Sequence, residues 1–363
     1  MKKIVFGITS LRPGGAERVL IDIVNQFQND YEITVFALYG DGEFEKQLSD
    51  KIHFQSLYPH TYDSYSKWKK IWISFQLVVP VFRNRIYKKH IKNQYDIEIA
   101  FLEGPITWLM SGKDRAKKYA WIHNDLVCVY EKESMKKKLS ETAYQQYQKL
   151  IFVSQDNLEK FQQLFPENHV SKQVIYNYID EKQVKEKAEA FSVTEIQNDL
   201  PNFLQVSRFT EQKAILRLVD VHHQLIQKNI MHRIYLIGDG PLQEQVREKI
   251  KQYGVEDTFV LLGQKENPYP YMKKADTFLL ASYYEGYPMV LLEAKVLGKD
   301  ILITESAAKE VLIGYDKGMI VENTEEGISY GIETMIHREK NLKEQSAFSN
   351  ESILEELKEL LGE

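Results

Sequence analysis

The sequence has almost no cysteine: Cys128 is the sole one in 363 residues. No disulfide can form within the chain, which suits a reducing compartment. Long hydrophobic runs are also missing. The run from Ile71 to Phe82 is too short to span a bilayer, and Pro80 interrupts it. The first residues, Met1 to Ile8, start basic and then apolar like a short signal peptide. That apolar run ends at Thr9-Ser10 and is followed by Arg12-Pro13-Gly14-Gly15. It reads better as a buried strand entering a glycine loop. A soluble or peripheral protein is expected. There is no Asp-x-Asp and no His/Cys cluster with ligand spacing, so no metal site is expected. A complete Gly-x-Gly-x-x-Gly and a P-loop lysine are lacking too, which removes the simplest dinucleotide and nucleoside-triphosphatase patterns. No short-period repeat or low-complexity tract is present.

What is present is an ordinary globular balance, with 43% apolar and 27% charged residues. The length suits two domains better than one core. The net charge of −5 conceals an asymmetry. Residues 1–175 carry 25 Lys and Arg against 20 Asp and Glu, and the remainder 22 against 32. Halves of opposite sign suggest domains that face different partners.

Strand-like and helix-like segments alternate along both halves. Lys3 to Ile8, Ile33 to Leu38, Ile97 to Leu102, Lys118 to Ile122 and Leu150 to Val153 read as strands, with a helix over Ala16 to Asn25. In the second half the strands are Asn202 to Val206, Ile234 to Ile237, Phe259 to Leu262, Thr277 to Ala281 and Asp300 to Ile303. Helices are expected over Ile215 to Gln227, Leu242 to Tyr253 and Val290 to Leu297. This alternation predicts two α/β, doubly wound, Rossmann-like domains with a cleft between them. The domains are expected at 1–180 and 181–350, with a polar connection over Asp180 to Asp199. An amphipathic helix over about 351–363 is expected to pack back on the first domain.

Chemistry concentrates where strands run into helices. Pro13-Gly14-Gly15-Ala16-Glu17 follows the first strand, and Gly238-Asp239-Gly240 follows another. Glycines there let backbone approach a ligand, and helix N-termini offer N–H groups to an anion, although a plain structural turn fits as well. Arg208 and Lys213 leave the end of a strand and suit a diphosphate, one as a fork and one as a point charge. Two solvated loop cations are the bland alternative. The richest segment is Ser282-Tyr283-Tyr284-Glu285-Gly286-Tyr287-Pro288-Met289-Val290-Leu291-Leu292-Glu293. Glu285 precedes a Gly/Pro turn and Glu293 sits on the helix after it. N–H groups of Gly286, Tyr287, Met289 and Val290 can face a sugar or phosphate, and carboxylates accept from paired hydroxyls. Val290, Leu291 and Leu292 beside Glu293 suggest a partly buried acid.

Glu285 and Glu293, with seven residues between them, resemble the E-x7-E motif of the retaining, GT-B-fold glycosyltransferases of family 4. The resemblance covers nearly the whole chain. Gly14-Gly15 resembles the N-terminal glycine loop and Trp121-Ile122-His123-Asn124 the strand-end histidine segment. Arg208, Lys213, Gly238 and Gly240 match the phosphate-side positions. Gly263, Asn267 to Met272 and Ala275-Asp276 match the stretch before the last motif. Three positions depart from the pattern. Ser207 and Ala214 stand where glycine is usual, and Asn177-Tyr178 replaces Asn-Gly, which puts the local backbone approach in question.

The resemblance implies a retaining, metal-independent hexosyltransferase that uses a nucleoside diphosphate sugar of the UDP type. Arg208 and Lys213 would neutralise the leaving diphosphate, Glu293 would hold the ribose and Glu285 the donor sugar. His123 would contact the donor sugar, or else is a packed core histidine. The leaving phosphate oxygen would assist acceptor deprotonation on the front face. Gly15 completes the implied donor set.

Residues 67–94 hold Lys67, Lys69, Lys70, Arg83, Arg85, Lys88, Lys89 and Lys92 and no Asp or Glu, interleaved with Trp68, Trp72, Phe75 and Phe82. This suits an anionic membrane surface or a lipid-linked glycan acceptor, with a solvated helix face as the alternative. No nucleic-acid-binding motif accompanies it. The expectation is a cytoplasmic enzyme, peripheral on the inner face of the cell membrane, acting in bacterial surface polysaccharide synthesis. A sugar-nucleotide epimerase and a non-catalytic GT-B subunit of a partner transferase stay open.

Overall fold

A computed structural model describes residues 1–130, 133–338 and 350–362. The end of the expected second domain, 339–349, and Glu363 of the expected last helix lie outside the described residues. The chain divides into two compact units, Met1–Tyr178 with Asn350–Glu363, and Ile179–Ser349.

The first unit is built on β1 (Lys3–Ile8), β2 (Glu32–Tyr39), β3 (His53–Tyr58), β4 (Ile97–Ala100), β5 (Lys117–Ile122), β6 (Lys149–Phe152) and β7 (Ser171–Val174). They form one sheet in the order β3-β2-β1-β4-β5-β6-β7, and every pairing is parallel. Strands covered by helices on both faces need continuous apolar runs, and in β1 all but Lys3 are buried. The helix Gly15–Gln26 buries Val19, Leu20, Ile23 and Val24 as one stripe. The core also takes Phe36, Ile73, Ile106, Tyr144 and Phe161.

One buried ionic group sits within this sheet. Lys118 of β5 pairs with Glu98 of β4, and the Tyr87 hydroxyl donates to Glu98 at 2.9 Å while accepting from Lys118 at 3.0 Å. Burial pushes the Glu98 carboxyl up to about 7 and draws the Lys118 ammonium down. The helix Glu351–Gly362 belongs to this unit and buries Ile353, Leu357, Leu360 and Leu361.

The second unit holds β8 (Asn202–Val206), β9 (Arg233–Ile237), β10 (Phe259–Gly263), β11 (Thr277–Leu280), β12 (Asp300–Thr304) and β13 (Gly318–Val321). Their order is β10-β9-β8-β11-β12-β13, again all parallel. The chain winds outward from β8 in one direction and resumes from β11 in the other, so β8 and β11 lie side by side, with Phe203 opposite Thr277. Open parallel sheets bind ligands at the carboxyl ends of two such strands.

The polar stretch over Asp180 to Asp199 is not a bare connector. Glu181–Ala188 is a helix of the second unit, capped by Asp180 through Gln183, with Val184 and Ala188 buried. Three strands had no counterpart in the sequence reading: β3, β7 and β13. All three are edge strands. An edge strand needs no two-sided apolar run, and in β7 no residue is fully buried.

Candidate functional site

β8 ends at Val206 and delivers Arg208 and Lys213, while β11 ends at Leu280 and delivers Ser282 and Glu285. Because β8 and β11 are neighbours, these loops meet. Lys213 Nζ lies 2.5 Å from Glu285 Oε1, and the Ser282 hydroxyl donates to the same oxygen at 2.5 Å. Glu285 is buried. The two loops are also laced together by backbone: Tyr283 N donates to Gln212 O at 2.9 Å, and Gln212 Nε2 to Tyr284 O at 3.0 Å. Arg208 is exposed and makes no ion pair among the described residues.

Gly238 and Gly240 follow β9 and close over the Arg208 turn. Phe209 N donates to Asp239 O at 2.8 Å and Leu242 N to Phe209 O at 3.1 Å. Both glycines have positive φ, and a Cβ on Gly238 would sit 1.9 Å from the Ser207 carbonyl oxygen. Ser207 tolerates its departure from the resembled pattern because its N–H bonds Ile237 O at 3.0 Å and its hydroxyl accepts from Gln205 Nε2 at 3.0 Å. Ala214 is left-handed, with φ 50°, just before the helix Ile215–Gln227. That conformation is why glycine suits this position.

Gly286 and Tyr287 lead into the helix Met289–Val296, where Met289 is buried and Val290 half-buried. Glu293 lies on the second turn, buried, and accepts from the Tyr269 hydroxyl at 3.0 Å. Lys213 and Glu285 are thus in direct contact, and Glu293 is anchored separately by Tyr269. Ser282 and Tyr269 were not singled out by sequence. Nothing in a lone Ser or Tyr marks it until the fold supplies its carboxylate.

In the first unit β5 ends at Ile122 and delivers His123. Its ring packs on Phe101, 4.7 Å between centroids, and lies parallel to Trp121. Its Nε2 is buried with no hydrogen-bond partner among the described residues. Burial pulls its pKa down to about 3, so the ring is neutral at physiological pH. Glu103, also unrecognised in the sequence, is buried beside it, accepting from His123 N at 3.1 Å and from the Asn124 amide. Gly14 caps the helix that opens at Gly15, which is exposed.

The basic stretch folds as two helices, Lys67–Val78 and Pro80–His90, with Pro80 opening the second. Lys69, Arg85, Lys88 and Lys89 are exposed, and Lys70 lies over the Tyr62 ring at 4.9 Å. Arg83 departs from the expected surface cation. It is half-buried with Nη1 in the interior, and desolvation lowers its pKa. Trp68 is 82% exposed, and Ile71, Trp72, Phe75 and Val81 are exposed with it. Among the described residues no helix is long and apolar enough to cross a membrane.

Residues 186–352 match the sequence profile described as "Glycosyl transferases group 1". The chain is 26% identical over 351 residues to the N-acetylgalactosamine-N,N'-diacetylbacillosaminyl-diphospho-undecaprenol 4-alpha-N-acetylgalactosaminyltransferase of Campylobacter jejuni, covering 94% of this chain and 92% of that protein. It is also 26% identical over 304 residues to a second Campylobacter jejuni enzyme, GalNAc-alpha-(1->4)-GalNAc-alpha-(1->3)-diNAcBac-PP-undecaprenol alpha-1,4-N-acetyl-D-galactosaminyltransferase, covering 81% of this chain and 77% of that protein. Among solved structures, Anabaena HepE in complex with UDP and glucose superposes with a TM-score of 0.73 at 18% identity, covering 100% of both chains. Sucrose-phosphate synthase from Thermosynechococcus elongatus superposes with a TM-score of 0.77 at 14% identity, covering 100% of this chain and 98% of that one. Each unit is thus a parallel-sheet Rossmann-like α/β domain, the fold matches that of GT-B glycosyltransferase structures, and residues 186–352 resemble the group 1 glycosyltransferases.

Proposed function

We propose that the chain is a retaining, metal-independent hexosyltransferase that moves a sugar from a UDP-type nucleoside diphosphate sugar to a lipid-linked glycan, in bacterial surface polysaccharide assembly. The observation that carries this is the meeting of Lys213, Glu285 and Ser282 at the ends of β8 and β11, with Arg208 exposed on the same loop as Lys213 and in no ion pair among the described residues.

The bond that breaks joins the anomeric carbon to the diphosphate oxygen, so negative charge grows on the leaving phosphate. Among the described residues Arg208 has no competing carboxylate, and Lys213 has three donors, of which Glu285 takes one. Both can stabilise that charge without a metal. Glu285 accepts from the hydroxyls of the transferred sugar. Glu293, buried on its helix, accepts from the ribose hydroxyls. The leaving phosphate oxygen takes the acceptor's proton as the new glycosidic bond forms on the same face. His123 stays neutral, which suits it to a hydrogen bond with a sugar hydroxyl and not to an ionic role.

Both Campylobacter relatives carry undecaprenol diphosphate acceptors in their names, which supports a lipid-linked acceptor here. The exposed Trp68, Ile71 and Trp72, with Lys69, Lys88 and Lys89 exposed on the same two helices, support contact with an anionic membrane surface on the cytoplasmic side. A panel of UDP-, GDP- and other sugar nucleotides, scored by thermal stabilisation and then by product analysis with lipid-linked acceptors, tests the proposal. A UDP-sugar should raise Tm, and Glu293→Ala should abolish that rise. Normal donor affinity in Glu293→Ala would overturn the site. Donor conversion without any acceptor would favour an epimerase.

A further inference from the structure

Arg217 lies in the helix Ile215–Gln227 and is 9% exposed. A buried arginine is costly unless its fork is satisfied. Here Nη2 donates to Ala281 O at 2.8 Å and to Asn323 Oδ1 at 2.7 Å, and Nη1 donates to Asn323 O at 3.1 Å. The guanidinium lies 4.3 Å from the centroid of the Tyr283 ring. Among the described residues it has no carboxylate within ion-pair distance, so its two terminal nitrogens are spent on backbone and amide, while Nε is buried without a partner there.

Asn323, fixed by Arg217, hands the restraint on. Its amide donates to the carbonyls of Tyr283 at 2.8 Å, Glu305 at 3.2 Å and Ser282 at 3.3 Å. The Thr304 hydroxyl adds a bond of 2.6 Å to the Ser282 carbonyl. The carbonyls of residues 281, 282 and 283 are therefore all held by side chains of Arg217, Asn323 and Thr304. Together with Tyr284, these residues connect the end of β11 to Glu285.

We infer that Arg217 is a positioning residue for the sugar-transfer site. It acts with Asn323 as a clamp on residues 281–283 that sets the Glu285 carboxylate against Lys213. This rests on the donor-site assignment proposed above. Glu293 lies outside the clamp, so nucleotide binding and sugar positioning should separate. A displacement of the order of 1 Å at a reacting group costs about 100-fold in rate.

The test uses the full chain with Arg217→Met, Arg217→Lys and Asn323→Ala. Arg217→Met and Asn323→Ala should each lower kcat by roughly 10- to 100-fold, with UDP affinity within about threefold of the parent. Amide hydrogen exchange over 282–286 should quicken in both. Arg217→Lys, which keeps the charge and loses the fork, should recover part of the protection and part of kcat. Unchanged exchange over 282–286 in folded Arg217→Met would overturn the clamp. So would a loss of UDP affinity matching the loss of kcat, which marks general destabilisation. If the parent neither binds a sugar nucleotide nor transfers sugar, the donor assignment fails, and the exchange measurement alone decides on the clamp.

Discussion

Ala214 carries a left-handed backbone that an L side chain adopts at a cost of about 1–2 kcal/mol. Ala214→Gly should therefore stabilise the chain, by about 0.5–1 kcal/mol after the extra unfolded-state entropy of glycine is set against it. Denaturant unfolding checks this, and a destabilised variant would show that the buried methyl matters more than the backbone. At Lys213 the issue is charge. Its side chain is 17% exposed and that of Glu285 6% exposed. Lys213→Ala leaves a buried carboxylate without its cation, at an expected cost of about 3 kcal/mol. Lys213→Ala with Glu285→Gln should recover much of that stability and none of the activity. If the double variant transfers sugar, neither group has the proposed role. The charged members of this pair were legible from residue type and order. Ser282, Tyr269, Asn323 and Arg217 were not, because a polar residue within an apolar helix or at a strand end looks the same whether it clamps a loop or faces water.

Among elements, the contact between the helix Ile215–Gln227 and the start of β9 carries a buried histidine pair. His232 Nδ1 lies 2.9 Å from Ile230 O, His222 Nδ1 2.9 Å from His232 Nε2, and His222 Nε2 2.9 Å from Thr258 Oγ1. The carbonyl requires a proton on His232 Nδ1, so His232 Nε2 accepts from His222. A further proton on His232 would set two N–H groups face to face. Burial lowers His232 to about 4 and His222 to about 2. Unfolded histidines bind protons below about 6.5. The unfolded state therefore gains protons first, and stability is complete above pH 6.5 and falls as the pH drops towards 4. Each ring contributes up to about 1.4 kcal/mol per pH unit in that window. Unfolding midpoints at pH 7.5 and 5 should differ accordingly, and His222→Gln should flatten the slope. Element by element, the strands covered on both faces were readable because burial on two sides demands an apolar run. The edge strands β3, β7 and β13 were not, whereas the fourth edge strand, β10, was readable because it keeps an apolar run, Phe259 to Leu262.

For the molecule as a whole, the helices Lys67–Val78 and Pro80–His90 present exposed aromatics and carry Lys and Arg with no Asp or Glu of their own. Reversing Lys69, Lys70, Lys88 and Lys89 together should release the protein from anionic vesicles, since each juxtamembrane cation contributes about 1 kcal/mol. Sedimentation with vesicles of anionic and of neutral lipid reads this out, and unchanged pelleting would sink the membrane contact. Arg83 is left out of that set because its guanidinium turns inward. The sequence by itself determined that strands alternate with helices, that glycines follow the first strand and β9, and that two cations precede two carboxylates. Those are consequences of apolar period and of residue chemistry, both local. Only the tertiary structure decided that Lys213 touches Glu285, across a separation of 72 positions. It did so because the winding reverses between β8 and β11, which makes neighbours of two strands that two further strands separate along the chain.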